Sequence, residues 1–219
     1  MTLLQSASFA LRTALAVTVV VLMARPALAG PPLICHPFDI GTATSLPFGD
    51  TSEGWRGWQA TLPSYDRSRL VEDTLALLTP QTPVIVRMET LRRASAYAVE
   101  DKALASRLLR ALEARAPKQP ATATEALALF DAGYLIETFR QLGDRGVSVQ
   151  ASIAGKDGYE MVRTAMTARP GDAAMQFAAA LITATPERRA AHAQHLQKAR
   201  EASRADTLLA RNVATHFAN

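Results

Sequence analysis

Residues 122–142, with the sequence TATEALALFDAGYLIETFRQL, indicate the fold class of the chain. Thr122 and Glu125 have the spacing of a capping box at the start of a helix. The large apolar residues that follow recur at helical spacing: Leu127, Phe130, Tyr134 and Leu135. Gly143 and Gly146 then end the pattern, so this stretch predicts a long helix with one buried face.

The same kind of pattern continues on both sides of this stretch. Apolar spacing, caps and Pro or Gly breakers predict eight helices. They cover residues 66–79, 83–99, 101–116, 122–142, 157–169, 172–184, 186–203 and 206–217. Short turns between helices favour antiparallel neighbours. We therefore predict an all-α domain over residues 66–219, built from antiparallel helical hairpins as a small α-solenoid or a bundle.

Two local features of this helical region carry further expectations. Residues 143–156 are interpreted as a connector, and the alternation of apolar and polar residues from Val147 to Ile153 leaves a short strand as an alternative. Ser64 is the predicted N-cap of the first helix. In the second helix, Arg92 and Arg93 follow Glu89 at i,i+3 and i,i+4, which is typical of a solvated helix face.

Composition limits what else the chain can be. It has 219 residues, of which 48% are hydrophobic and 20% charged, with a single cysteine. One cysteine cannot form an internal disulfide, so packing must hold the core. The single cysteine also excludes haem attachment through two cysteines. Residues 30–65 are rich in Pro, Gly, Thr and Ser and contain both tryptophans, which predicts a non-helical N-terminal arm lying across the helices.

Residues 1–29 have the layout of a secretory signal peptide. Arg12 precedes an apolar run, and Ala27 and Ala29 place small residues before a cleavage site at Gly30. Only 12 uncharged residues separate Arg12 from Arg25, too few for a spanning helix of roughly 20 residues. The sequence therefore predicts a periplasmic or secreted protein with no stable membrane span after cleavage.

Cleavage also lowers the net charge of the chain. It removes two arginines and no acidic residue, leaving 22 basic and 20 acidic residues and a net charge of +2. The remaining arginines alternate with acidic residues along the helices. Nucleic-acid binding needs a concentrated basic patch, so no nucleic-acid partner is expected.

Two segments resemble known proteins. The hairpin over residues 171–203 resembles a tetratricopeptide repeat in part, with matches at Ala174, Phe177, Ala178, Leu181 and Ala190. Gln194 and Gln197 depart from that pattern, and its closing proline is missing. The resemblance implies a concave surface that binds a peptide or protein. The stretches CHPFDIG at 35–41, SLP at 45–47 and RMETLRR at 87–93 together are similar to a group of exported bacterial helical proteins, which implies no activity.

Cys35, His36 and Asp39 form the most unusual group of candidate site residues. A thiol, an imidazole and a carboxylate lie within five residues of a turn-rich segment. A thiol nucleophile would need the histidine as its base, and a metal site would need further ligands, with Asp50, Glu53 or a distant histidine as guesses. The simpler interpretation is a buried Cys35, a His36 that caps a turn, and an Asp39 that bonds nearby amides.

Trp55, Arg56 and Trp58 are the second candidate group. They could stack on a sugar or peptide, or anchor the arm to the helices, for which tryptophan is well suited. His192 and His195 share a helix face, where polar neighbours predict exposure to solvent. We find no motif of a phosphate loop, nucleophile elbow or zinc protease.

These observations favour an exported, non-catalytic binding or scaffold protein, acting through a helical-hairpin surface and the aromatic arm on a protein or peptide. No cofactor or resident metal is predicted. The alternative is a thiol-dependent enzyme or a metal-binding protein that uses Cys35, His36 and Asp39.

Overall fold

The computed structural model of the chain describes residues 33–49, 60–143 and 147–217. The predicted signal peptide and Trp55, Arg56 and Trp58 lie outside the described residues. Within these residues the chain forms helices, turns and irregular segments without a strand, which confirms the all-α prediction. In the described part of the chain, no helix is both long and apolar enough to cross a membrane.

The described residues form nine helices, numbered α1 to α9 in chain order. They are α1 Leu70–Leu77, α2 Val84–Ala98, α3 Lys102–Arg115, α4 Ala123–Gln141, α5 Val147–Ile153, α6 Gly158–Ala168, α7 Ala173–Ile182, α8 Arg189–Ser203 and α9 Thr207–His216. Short 3-10 turns, Arg67–Arg69 and Pro186–Arg188, precede α1 and α8.

Helix α4 is the centre of the packing. It is buried almost continuously from Ala126 to Phe139, and it packs against α2, α3, α5, α6 and α7. Helix α8 lies against α7, and α9 contacts both of them. The described helices are therefore arranged as a bundle around one buried helix, with the α7–α8 hairpin and α9 at its edge.

The helix starts follow from side-chain caps. The predicted capping box of α4 is present, with Thr122 and Glu125 each accepting a backbone N–H of the other residue. Each of α3, α6, α7 and α9 begins at an aspartate whose side chain accepts a backbone N–H of the first turn: Asp101, Asp157, Asp172 and Asp206. The prediction of Ser64 as the first cap is wrong, because Asp66 caps the 3-10 turn and α1 begins only at Leu70.

The interpretation of residues 143–156 as a connector with an optional strand is also wrong for its middle part. Residues 147–153 form helix α5, which packs against α3 and α4. Val149 and Ile153 are both buried and lie one helical turn apart. The alternating pattern contains these two positions as well, so seven residues did not distinguish a strand from a helix.

Helices α4 and α6 meet at two glycines. A Cβ atom at Gly133 would lie 2.6 Å from the carbonyl oxygen of Gly158 and 2.8 Å from the Cβ of Met161. A Cβ at Gly158 would in turn overlap the carbonyl oxygen of Gly133 and the side chain of Glu137. The absence of side chains at this crossing lets the two backbones touch.

We expect Gly133→Ala to destabilise the protein. Overpacking of this kind costs about 1–3 kcal/mol, and a gain of about 1 kcal/mol in helix propensity offsets only part of it. Urea unfolding should show a lower free energy of unfolding for the variant. Ala128→Gly, on the same helix, is the control for propensity alone. A Gly133→Ala variant as stable as wild type would contradict the close approach.

Candidate functional site

The described part of the arm, residues 33–49, is packed into the core of the helical domain. Its apolar side chains Leu33, Ile34, Cys35, Phe38 and Leu46 are at most 3% exposed. The N–H of Leu33 donates to Gln141 of α4 at 2.9 Å. The N–H of Asp39 donates to Asn212 of α9 at 2.9 Å, so the segment joins helices that are distant in sequence.

A buried carboxylate on α2 anchors this segment. The Glu89 side chain is 0% exposed, and two arginines share its oxygens. Arg92 donates through Nε and Nη2 at 2.7 and 2.8 Å, and Arg93 donates through Nε at 2.7 Å. We call Glu89, Arg92 and Arg93 the Glu89 cluster.

The expectation that the Glu89 cluster forms a solvated face is wrong. The side chain of Arg92 is 0% exposed and that of Arg93 is 21% exposed. Every residue of α2 except Arg93 is buried, because the arm covers the face that other helices leave open. The i,i+3 and i,i+4 pairing occurs as predicted, but inside the protein.

The backbone of the arm completes the bonding of the cluster. The N–H of Phe38 donates to Glu89 at 3.0 Å, and the carbonyl of Ile34 accepts from Arg92 at 3.4 Å. The carbonyl of Leu46 accepts from Arg93 at 2.6 Å. These contacts supply donors and acceptors that water would otherwise provide, as buried charges require.

Aromatic contacts fix the far end of the arm. The guanidinium carbons of Arg92 and Arg93 lie 5.1 and 5.6 Å from the ring centroid of Phe48, within the range of cation–π attraction. The Tyr97 hydroxyl donates to the carbonyl of Pro47 at 2.7 Å and accepts the N–H of Leu62 at 3.1 Å. Tyr97 thereby connects the two described segments on either side of residues 50–59.

The ionised state of Glu89 follows from these partners. Burial acts to raise its pKa, but the hydrogen bonds and charges of Arg92 and Arg93 outweigh burial and hold the pKa below its ordinary value. The cluster therefore keeps its carboxylate charged at neutral pH.

A second buried ion pair joins α2 to α4. Arg87 donates to Asp131 at 2.5 Å and to the carbonyl of Thr82 at 3.0 Å, and also to the carbonyl of Thr79. Burial raises the pKa of Asp131 to about 7, against the opposing charge of Arg87. This pair holds the α1–α2 turn against the central helix.

The predicted group does not form one site, because the side chains of Cys35, His36 and Asp39 contact different neighbours. Cys35 is buried, at 3% exposure. His36 is half-buried, with its ring edge-on to that of His216 at 5.9 Å between centroids. Asp39 is exposed, and its backbone contacts Asn212.

The carboxylate of Asp39 acts as a tie to α9. It accepts the N–H of Gly41 at 2.9 Å and the Nε of Arg211 at 2.6 Å. The bond from Arg211 is the main cause that lowers the pKa of Asp39. The interpretation of Asp39 as a turn carboxylate describes the Gly41 bond, whereas sequence offered no signal for Arg211.

Six rings from the arm, α7, α8 and the end of α9 form an aromatic cluster: His36, Phe38, Phe177, His192, His216 and Phe217. Phe38 stacks on His216 with centroids 4.7 Å apart and an interplanar angle of 7°. The Nδ1 of His216 bonds the carbonyl of Asn212 at 2.9 Å. The cluster closes the C-terminal helix over the arm.

The prediction that His192 and His195 face solvent is wrong, because both side chains point toward α7. They are half-buried. The Nδ1 of His192 donates to the carbonyl of Ala180 at 2.8 Å. The Nδ1 of His195 donates to Gln176 at 2.8 Å, which leaves its Nε2 to accept the hydroxyl of Tyr159 at 2.9 Å. The two rings do not converge on one ligand position.

A cleft of about 530 Å³ lies where the end of α4 meets the α7–α8 turn. We call it the polar cleft, and its lining is Glu137, Arg140, Gln141, Ile182, Ala184, Thr185, Glu187 and Arg188. No pattern in the sequence predicted this cleft. The available signals were Glu137 and Arg140 at i,i+3, but nothing in the sequence brings Arg188 to them.

Glu137 organises this cleft. Its side chain is 3% exposed and accepts the N–H of Tyr159 at 3.0 Å as well as a bond from Arg140. A nitrogen of Arg188 lies 3.5 Å from its second oxygen. Arg188 also lies over the Tyr159 ring, 4.9 Å from the centroid. One buried carboxylate thus places two half-exposed guanidinium groups at the cleft.

In the described residues, no three histidine, cysteine, aspartate or glutamate side chains are grouped so that they could hold a metal ion. Asp50 and Glu53, the suggested additional ligands, lie outside the described residues.

The chain matches no protein-family model, and the comparisons with curated proteins and with solved structures give no match either.

We expect Glu89→Gln to loosen the arm. Removing one partner from a buried ion pair costs about 3–5 kcal/mol, because Arg92 keeps a buried charge without its carboxylate. Urea unfolding should report this loss, and native Cys35 should react faster with iodoacetamide.

Glu160→Gln is the matched control for this substitution. Glu160 and Arg163 form an i,i+3 pair at 3.1 Å like that of Glu89 and Arg92, but with side chains 54% and 56% exposed. An exposed pair contributes about 0–1 kcal/mol. Equal losses of stability in the two variants would contradict the role assigned to the Glu89 cluster.

His216 should contribute a loss of stability in mild acid, opposite in sign to the contribution of Asp131, whose pKa is raised. Burial is the main cause that lowers the pKa of His216 from the ordinary 6.5. Below pH 6.5 the unfolded chain therefore binds a proton that the folded chain resists, and the free energy of unfolding decreases as the pH falls. Burial also lowers the pKa of His195, so this histidine contributes to the same loss of stability in acid.

Urea unfolding between pH 5 and 8 tests this prediction. His216→Phe keeps a ring against Phe38 and should flatten the acid limb of the profile. His36→Phe, which alters the same aromatic cluster but retains His216, is the control and should keep the slope. An unchanged slope in His216→Phe would refute the assignment.

Proposed function

We propose that this is an exported, non-catalytic binding or scaffold protein whose partner is an acidic protein or peptide segment. The proposed contact surface is the outer face of α8, in the α7–α8 hairpin. The observation that carries the proposal is the small burial of this helix. In α8, every residue of which is described, Ala199 is the one buried residue, whereas the similarly long α3 buries five.

The outer face of α8 is flat at its centre and cationic at its edges. At 100° per residue, small and amide side chains occupy the middle of the exposed arc: Ala190, Ala193, Gln194 and Gln197. Arg189 and Arg200 flank one edge, and Lys198 flanks the other, all three exposed. Glu201 is the opposing charge within this arc.

This pattern suits an acidic segment laid along the helix. Small residues permit close approach of a second backbone, and cations on both edges attract carboxylates and fix the register. Helix α8 packs on α7 and α9, and this face is turned away from them. The partial tetratricopeptide resemblance of residues 171–203 supports the same hairpin as a peptide-binding element.

Export is part of the proposal and rests on the layout of residues 1–29. Trp55, Arg56 and Trp58 stay proposed as additional contacts, since they lie outside the described residues. The described part of the arm serves mainly to complete the core. Burial of Cys35 at 3% exposure does not favour the alternative of a thiol-dependent enzyme.

Fluorescence anisotropy with a labelled Glu/Ala-rich helical peptide tests the proposed surface. We expect saturable binding that weakens with added salt, because the contacts are between exposed charges. Arg189→Glu combined with Lys198→Glu should weaken binding by about tenfold or more, which corresponds to about 1.4 kcal/mol.

Lys102→Glu combined with Arg107→Glu is the control, since it makes the same charge change on the exposed face of α3. It should bind the acidic peptide as wild type does. Equal loss in both double variants would reduce the effect to net charge and contradict the proposal. Equal binding of a Lys/Ala-rich peptide, or preferential binding of DNA, would also overturn it.

A further inference from the structure

The polar cleft is a second candidate site, separate from the outer face of α8. We infer that it binds an uncharged polyhydroxylated ligand, a sugar of one or two rings. This inference does not depend on the proposed function, because the cleft lies at the α4 end of the hairpin and the acidic partner is assigned to α8. The size of the cleft, the balance of its charges and the unsatisfied donors of Arg188 suit such a ligand.

The size of the cleft limits its occupant to a small molecule. Its volume of about 530 Å³ falls within the range of about 300–1,000 Å³ typical of ligand pockets. Ile182 and Ala184 supply apolar surface, while the other lining side chains are polar or charged. A sugar ring has both kinds of surface, with C–H groups on its faces and hydroxyls at its edge.

The charges in the lining are balanced. Arg140 and Arg188 provide two positive charges, and Glu137 and Glu187 provide two negative charges. The cleft also lies beside the C-terminal ends of α4 and α7, which carry partial negative charge, and beside the start of the helical turn that leads into α8, whose partial positive charge opposes it. Neither a carboxylate nor an ammonium ligand would find a net opposite charge there, so charge alone selects neither.

Arg188 presents hydrogen-bond donors that described residues do not satisfy. Its nitrogens lie 3.5 Å from Glu137 and 3.9 Å from Asp157, beyond ordinary hydrogen-bond length. Among the described residues, its guanidinium donates no hydrogen bond of ordinary length. A guanidinium has five N–H donors, so a ligand acceptor at the cleft would complete its bonding.

The position of Arg188 is fixed before any ligand binds. The guanidinium rests on the Tyr159 ring, and the Tyr159 hydroxyl is bonded to His195. His195 is held in turn by Gln176. Such a chain of supporting contacts reduces the ordering cost of binding.

Neighbouring hydroxyls fit this arrangement better than a single charged group does. Each hydroxyl both donates and accepts. One hydroxyl can accept from Arg188, while the next donates to the carboxylate of Glu187, the residue immediately before Arg188 in the same turn. Hydrogen bonds from hydroxyls to charged side chains are among the stronger ones in proteins.

Isothermal titration calorimetry with three matched ligands tests the inference. Glucose, glucuronate and glucosamine share one ring and differ in charge, and cellobiose and maltose extend the ring. We expect saturable binding of at least one neutral sugar, and no tighter binding of glucuronate or glucosamine than of glucose. Arg188→Lys keeps the charge but loses the planar fork, and should weaken sugar binding by about tenfold.

Two further variants make the result specific. Arg189→Lys changes the adjacent exposed arginine and should leave sugar binding intact. Ala184→Trp fills the apolar wall of the cleft and should abolish sugar binding, while binding of the acidic peptide to α8 persists. If the protein binds a sugar but not the acidic peptide, the sugar site stands while the proposed function of α8 does not.

The inference is overturned by any of three results. Tighter binding of glucuronate would identify an anion site, and tighter binding of glucosamine would identify a cation site. Absence of a saturable signal for every neutral sugar at tens of millimolar would remove the site altogether.

Discussion

The carboxylate of Glu89 is the group on which the docking of the arm depends. Moving a carboxylate and a guanidinium out of water costs several kcal/mol for each ion, and the cost is recovered only if geometry and additional hydrogen bonds are good. Here the arm provides those bonds through Phe38, Ile34 and Leu46. The arm therefore supplies the hydrogen bonds that make burial of the Glu89–Arg92 pair possible. In return, this pair bonds the irregular backbone of the arm and holds it in the core.

The helices were largely predictable because caps and breakers are local. Aspartates at the starts of α3, α6, α7 and α9 act through bonds to residues two or three positions away, which a sequence displays directly. Helix α5 was missed because its seven residues carry too little periodicity. The Glu89 cluster was misjudged for a different reason. Its pairing is local, but its burial depends on residues 33–49, which no helical pattern places there.

The candidate sites also differ in whether their residues are close in sequence or are brought together only by packing. Cys35, His36 and Asp39 were selected because they are adjacent in sequence, and the structure directs them to the core, to His216 and to Arg211. The polar cleft, in contrast, combines one buried glutamate on α4 with an arginine from the turn before α8. Bringing these groups together requires the packing of α6 and α7 between them. Spacing along the chain therefore pairs Glu137 with Arg140 but does not indicate that Arg188 joins them.

The pairing of the arm with α9 has a consequence for the order of folding. Leu33 bonds a residue 108 positions later, and Asp39 bonds one 173 positions later. The docking of residues 33–49 is thus complete only once α9 has been synthesised, and such non-local closure slows folding. The surface for the arm therefore forms in two steps, first on α2 and α4 and then, at Asp39, on α9.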